Sequence, residues 1–379
     1  MRRHAPQMLR EFRAPDESGA EARAWSVVQA AYAARDPAVR SRPHRRLALV
    51  PVLAVIAAGL VLSPAGARVG RLITKALGVR HAAPMLSSLP APGRLLVSGP
   101  GGTWTAAADG SLRHLGSWSQ ASWSPHGLYE AVVSSDRLAA VDPQGNIRWA
   151  VTRPAVSDPT WFSPSGYRVA YLSAGTLRVI AGDGTADHLL ATHVAPVPPA
   201  WRPGQALGPF EVAYVTDAGR IVVRDGDTGN VAWTASAPTK PRQLVWSGDG
   251  RRLVVRTTRD VRTYDGGGDL VATLRVAASA AALSPDGRSL ALVVNRDQVL
   301  VGGRQLFAGT GIRGVSWSPD GDWLLVDWPA ADQWVFVRAA GAPRVAAVSR
   351  IAQQFSPGGS VRAFPQLEGW CCTVQGSSG

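Results

Sequence analysis

The spacing of apolar and polar positions changes character twice along the chain. Residues 47–67, LALVPVLAVIAAGLVLSPAGA, run for 21 positions without a charge, close to the roughly 20 that an α-helix needs to cross a hydrocarbon core. With 46 residues ahead of it, this stretch is not placed as a signal peptide, and it predicts one transmembrane helix. Beyond it Val69, Leu72, Ile73, Ala76 and Leu77 share one helical face, while Arg68, Arg71 and Lys75 share the other. That pattern predicts a basic amphipathic helix in the membrane interface, followed by a linker over residues 81–92. Ahead of the membrane, Trp25, Val28 and Tyr32 fall at helical spacing and stop at Asp36-Pro37, so residues 1–46 are expected to hold one short helix.

From residue 93 onward the pattern is that of short strands. A block made of an aromatic or leucine, then a turn, occurs seven times: WSPHG at 123–127, FSPSG at 162–166, WRPG at 201–204, WSGDG at 246–250, LSPDG at 283–287, WSPDG at 317–321 and FSPGG at 355–359. Aligned on positions 125, 164, 203, 248, 285, 319 and 357, the spacings are 39, 39, 45, 37, 34 and 38 residues, the length of one four-stranded propeller blade. Within the block, Pro fixes its own φ and Gly tolerates the positive φ of a tight turn. An apolar strand follows, as in LYEAVV, YRVAYL, RLVVRT, SLALVV and WLLVDW, and then Asp/Gly turns such as DPQGN and DGDTGN lead to alternating strands.

The repeated (W/F)SPDG block with its following strand resembles the repeat of the TolB-like β-propellers, which share their architecture with WD-repeat propellers. The resemblance covers residues 94–379. It implies an all-β fold, a seven-bladed β-propeller over residues 93–379. RDGDTGNVAW at 224–233 also resembles the repeat of the pyrroloquinoline-quinone type propellers, in one copy only. The last block leaves room for about half a blade, and residues 93–116 supply strands without a block of their own. N- and C-terminal strands are therefore expected to share the closing blade, which removes the open edges of the ring.

Charge matters through its location. The chain carries +13 overall, but residues 1–46 hold ten Arg against five acids and residues 47–93 four cations against none, leaving 26 basic and 22 acidic residues beyond. Cations flanking an apolar run are what lipid headgroups attract, whereas a nucleic-acid binder carries them on its folded domain. A membrane partner is expected and nucleic acid is not. The near balance of Arg on the two sides of residues 47–67 leaves orientation to the amphipathic helix. If its cations are headgroup anchors, residues 1–46 are cytoplasmic and the propeller is extracytoplasmic.

Candidate chemistry is sparse. No GxSxG elbow occurs, and the seven His residues show no metal spacing. Gly309, Gly311 and Gly314 spell GxGxxG, yet precede a turn block where a dinucleotide site requires a helix. Asp225 and Asp227 read as turn residues rather than a calcium loop. No catalytic, cofactor-binding or metal-ligating residue and no cofactor is expected. Cys371 and Cys372 are adjacent, which suggests one buried and one peripheral thiol, with a vicinal disulfide as the alternative. Trp104, Trp118, Trp328, Trp334 and Trp370 lie outside the block and are candidates for facing a partner. The function these observations favour is a binding or scaffold module for a protein or envelope ligand. The alternatives are a quinone-dependent or lactonase-like propeller enzyme and a single-pass signalling regulator.

Overall fold

A computed structural model describes residues 83, 85–342, 344–356 and 363–372. The expected cytoplasmic helix, transmembrane run and amphipathic helix lie outside these residues. Among the described residues no helix is long and apolar enough to cross a membrane.

Seven antiparallel four-stranded sheets form a ring. Blade 1 comprises β4 (Gln120–Trp123), β5 (Glu130–Ser134), β6 (Arg137–Val141) and β7 (Ile147–Thr152). Blade 2 follows with β8 (Val156–Trp161), β9 (Arg168–Ser173), β10 (Thr176–Ala181) and β11 (His188–Ala191). Blade 3 has β12 (Ala200–Trp201), β13 (Glu211–Val215), β14 (Arg220–Asp225) and β15 (Val231–Ser236). Blade 4 has β16 (Gln243–Trp246), β17 (Arg252–Arg256), β18 (Val261–Asp265) and β19 (Leu270–Leu274). Blade 5 has β20 (Ala278–Leu283), β21 (Leu290–Val294), β22 (Gln298–Val301) and β23 (Arg304–Ala308). Blade 6 has β24 (Gly314–Trp317), β25 (Trp323–Trp328), β26 (Gln333–Arg338) and β27 (Val345–Ser349). Blade 7 takes its inner strand, β28 (Gln366–Cys371), from the C-terminal end and its other three, β1 (Arg94–Gly99), β2 (Gly102–Ala106) and β3 (Leu112–Gly116), from before blade 1. The inner strands touch in cyclic order, β28 lying against both β4 and β24. The ring is closed as the terminal strands predicted.

The core is divided among the seven blade junctions, one cluster of buried apolar side chains at each. The two middle strands of a blade are covered on both faces. They therefore read as continuous apolar runs, such as the fully buried Val212–Val215 stretch of β13. Outer strands β7 and β15 alternate between exposed and half-buried positions.

The repeated block earns its Ser and Asp as well as its Pro and Gly. Ser247, Ser284 and Ser318 each donate through Oγ to the Asp two residues on, and each accepts from the backbone N–H five residues on, at or just before the start of the next strand. Gly250, Gly287 and Gly321 sit at φ of +65°, +68° and +75°, where a side chain would be strained. The turns DPQGN and DGDTGN are closed by Asp142 and Asp225, whose carboxylates accept backbone N–H groups within the turn. The GxGxxG segment connects β23 to β24.

Three expectations are corrected. The seventh block, FSPGG, does not end an inner strand. It follows a one-turn helix, α1 (Ile351–Gln354), and Phe355 is buried against Trp334 and Trp104 in the junction of blades 6 and 7. Trp370 takes the block position in blade 7 instead, paired with Leu95 of β1 as Trp246 is with Leu253 of β17. Residues 81–92 are not a free linker throughout. Ala83 forms a parallel bridge to Val348 on the outer edge of blade 6, and Leu86, Leu89 and Ala91 are buried with Trp334, Phe336 and Ile351. Finally, Cys371 and Cys372 are joined to each other in a disulfide.

Candidate functional site

Two places on the ring gather polar or aromatic groups: the channel at the end where the inner strands begin, and a cleft at the opposite, turn-block end between blades 1 and 2.

In the channel, polar side chains of one inner strand satisfy the backbone of the next. Gln120 Oε1 accepts the Asp158 N–H at 2.7 Å, joining blades 1 and 2. Gln243 accepts from Ala281 N and donates to Ala281 O at 3.2 and 2.9 Å, joining blades 4 and 5, and it also accepts from Arg256 Nε. Arg313 pairs with the buried Asp327 at 2.8 Å and donates to the Pro365 carbonyl. Burial pushes the carboxyls of Asp158 and Asp327 up from their ordinary value, and that of Glu368 up to about 7. Gln120, Gln243 and Arg313 thus tie neighbouring blades, Asp327 is held by Arg313 and Trp334 of its own blade, and Glu368 Oε1 is buried without a hydrogen-bond partner. Among the described residues, no group of three or more His, Cys, Asp or Glu side chains is placed to hold a metal ion.

The cleft measures about 580 Å³. Its floor is Trp161, at the end of β8, and the turn at Gly166 and Gly182. One wall is the loop Ser124 to Tyr129 after β4, the other the Ser165 to Arg168 loop after β8, and Trp149 of β7 closes the outer side. Trp149 is locked there by its indole N–H, which donates to Gly182 O at 2.9 Å across the junction. Leu128, Tyr129 and Tyr167 stand 61%, 39% and 50% exposed, an uncommon concentration of large apolar side chains at one solvent-facing site. Charge sits at the rim. Arg148 pairs with Asp142, Arg168 with Asp227 at 2.6 Å, and Asp183 is held below the usual carboxylate range by hydrogen bonds from Thr185. An apolar, aromatic-lined concavity with a few oriented charges is suited to binding; rigid aromatic side chains contribute contact area at small cost in conformational entropy.

None of the Trp residues singled out from the sequence lies here. Trp118, Trp328, Trp334 and Trp370 are buried at 9%, 6%, 0% and 6% exposure, and Trp104 is half-buried against Phe355. They are core residues, and the expectation that they face a partner is not met. The cleft residues were missed because Leu128, Tyr129 and Tyr167 read as the start of the strand after the block. The available signal was residue type, not loop length: one or two residues follow the block glycine in blades 1, 2, 4, 5 and 6, but Leu128, Tyr129 and Tyr167 stand where the other blades carry Arg251, Arg288, Ser289 and Asp322.

No family model and no curated protein matches the chain. Solved structures do. Kluyveromyces lactis Hsv2 superposes with a TM-score of 0.51 at 14% identity, over 65% of this chain and 90% of Hsv2. The variant of that protein with loop 6CD replaced by a Gly-Ser linker gives 0.51 at 16%, over 65% and 89%. The β-propeller domain of Cps50 (Swd1) from Myceliophteria thermophila gives 0.53 at 16%, over 63% and 91%. At these identities the likeness shows the fold, a WD-repeat-like seven-bladed propeller.

Proposed function

We propose that the protein is a binding or scaffold module, a propeller displayed from a membrane by the apolar run at residues 47–67, with its ring on the extracytoplasmic side and a protein or other envelope component as its ligand. The observation that carries the binding reading is the cleft between blades 1 and 2, where Leu128, Tyr129 and Tyr167 stay in solvent on a closed, rigid ring. Supporting the anchored arrangement are the 21 uncharged residues and the Arg clusters on both sides of them. The resemblance of the turn block to TolB-like propellers supports an envelope setting.

The binding reading is tested by placing a photo-crosslinking residue at position 167 in cells that make the full chain, and at exposed position 304 on blade 5 as a control. A discrete adduct at 167, absent at 304 and abolished by Tyr129→Ala, is expected. Adducts equal at both positions would overturn it. Anchoring is tested separately: the full chain should stay in the membrane pellet through alkaline carbonate, and protease outside spheroplasts should reach the ring but spare an N-terminal tag.

A further inference from the structure

The outer strand of each blade has one edge without a partner in its own sheet, and such edges are templates for pairing with another chain unless something blocks them. Most are blocked here. Outer strands β3, β7, β11 and β23 carry Arg113, Arg148, His188 and Arg304, and β27 is covered by the parallel bridge from Ala83. That bridge also shows that an outer edge of this ring accepts one more strand. Among the described residues only β15 and β19 lack a charged or covering group, each interrupted by a single bulge, at Ala232 and at Val271. Of these, β19 is exposed along its whole length, with Leu270, Val271 and Leu274 each about half in solvent at 51%, 54% and 51%.

The sequence across β19 is Asp269-Leu-Val-Ala-Thr-Leu-Arg275, and both terminal charges are exposed. Neither enters an ion pair among the described residues. The segment is complementary to itself about Ala272. Laid antiparallel against a second copy on a two-fold axis there, with the bulge at Val271 drawn straight, Asp269 faces Arg275, Leu270 faces Leu274 and Val271 faces Thr273, each pair twice. Directly opposed cross-strand residues have Cβ atoms about 4.5–5.5 Å apart, where opposite charges and apolar pairs attract. A two-fold contact between identical patches is the commonest way for soluble chains to associate. The flanks of β15 offer no such pair of charges, since Asn230 and Ala237 stand there.

We infer that two copies of this chain associate edge to edge through β19, fusing their fourth blades into one continuous eight-stranded sheet across a two-fold axis at Ala272. The occupant of the edge is a second copy because the segment inverted on itself sets Asp269 against Arg275 at both ends.

The full chain, purified in detergent micelles and sized by light scattering after detergent correction, should carry two copies per particle at micromolar concentration. Asp269→Arg should give one copy, by placing like charges opposite each other twice. Asp269→Arg combined with Arg275→Asp should restore two, which separates loss of pairing from loss of folding. Ala272→Cys should form a covalent dimer under mild oxidation, since the two Cα atoms on the axis lie within disulfide reach in this arrangement, while Ala232→Cys on β15 should not. A single copy in the unaltered chain would overturn the inference. So would a dimer that Asp269→Arg leaves intact, failure of the double exchange to restore it, or cross-linking at 232 in place of 272.

Discussion

The indole N–H of Trp246 donates to the carbonyl of Ala200, 3.2 Å away on the inner strand of the preceding blade. Trp201 reaches Thr160 O and Trp317 reaches Ala282 O in the same manner, at 2.9 and 3.2 Å. The block's tryptophan is thus a blade-to-blade tie as well as a core side chain. Trp161 occupies the corresponding place in blade 2, but its indole nitrogen is buried with no acceptor. Replacing Trp246 by Phe should lower stability by about 1 kcal/mol beyond the packing change. Replacing Trp161 by Phe, which removes an unsatisfied buried donor, should cost less or stabilise. Denaturant midpoints of the two variants decide; equal losses would mean the ties contribute nothing.

Residues before the ring belong to its stability. Leu86 and Leu89 are 4% and 8% exposed within the junction of blades 6 and 7, and the Leu86 N–H donates to Gln354 Oε1 at 3.0 Å. Removing residues 1–82 should leave the melting temperature of the ring nearly unchanged. Removing residues 1–92 should lower it markedly, and Leu86→Ala alone should cost about 2–5 kcal/mol, the usual range for a buried leucine. Identical melts for the two truncations would show that residues 83–92 do not hold the ring.

Ring closure rests on β28. Its removal, by ending the chain at residue 356, leaves β1 without its inner partner and uncovers Leu95 and Val97. Because each blade is stabilised by its two neighbours, unfolding should become broad and begin at lower temperature. Trp370→Ala should act in the same direction with a smaller effect, about 3–5 kcal/mol. A sharp transition at the original temperature in the shortened chain would contradict closure by this strand.

Stability should fall as pH rises from about 5 to 8. Glu130 is fully buried between blades 7 and 1, neither carboxylate oxygen has a hydrogen-bond partner, and burial pushes its pKa from 4.5 to about 8. Of the charges facing it, Arg94 opposes that rise and Asp142 adds to it. The folded state holds this proton more tightly than the unfolded chain does. The contribution is therefore complete below the unfolded pKa and is lost as pH passes through the folded one, at about 1.4 kcal/mol for each unit between them. Glu368, pushed to about 7, acts with the same sign. Chemical denaturation across this pH range should show the slope, and Glu130→Gln should reduce it; a slope unchanged in that variant would assign it elsewhere.

Repeat spacing alone dictates the ring. A turn block recurring at blade length can be satisfied only by units that bury their faces on one another, and half a repeat at each end can be completed only by the other end, so blade number and closure followed from spacing. Turn chemistry was equally local: the Ser, Asp and Gly of the block act within a few residues of themselves. Which tryptophans are core depends on how the blades stack. Trp328 and Trp334 stand on β25 and β26, buried on both faces, and no periodicity along one strand reveals the blade lying over it. Blade stacking also decides that FSPGG, although it matches the block, sends Phe355 into a junction while Trp370, with no block around it, completes the ring. The docking of Ala83 and Leu86 pairs residues more than 260 positions apart. The cleft likewise draws on two blades at once. Both depend on which surfaces meet when the ring closes, information that no local stretch of sequence holds.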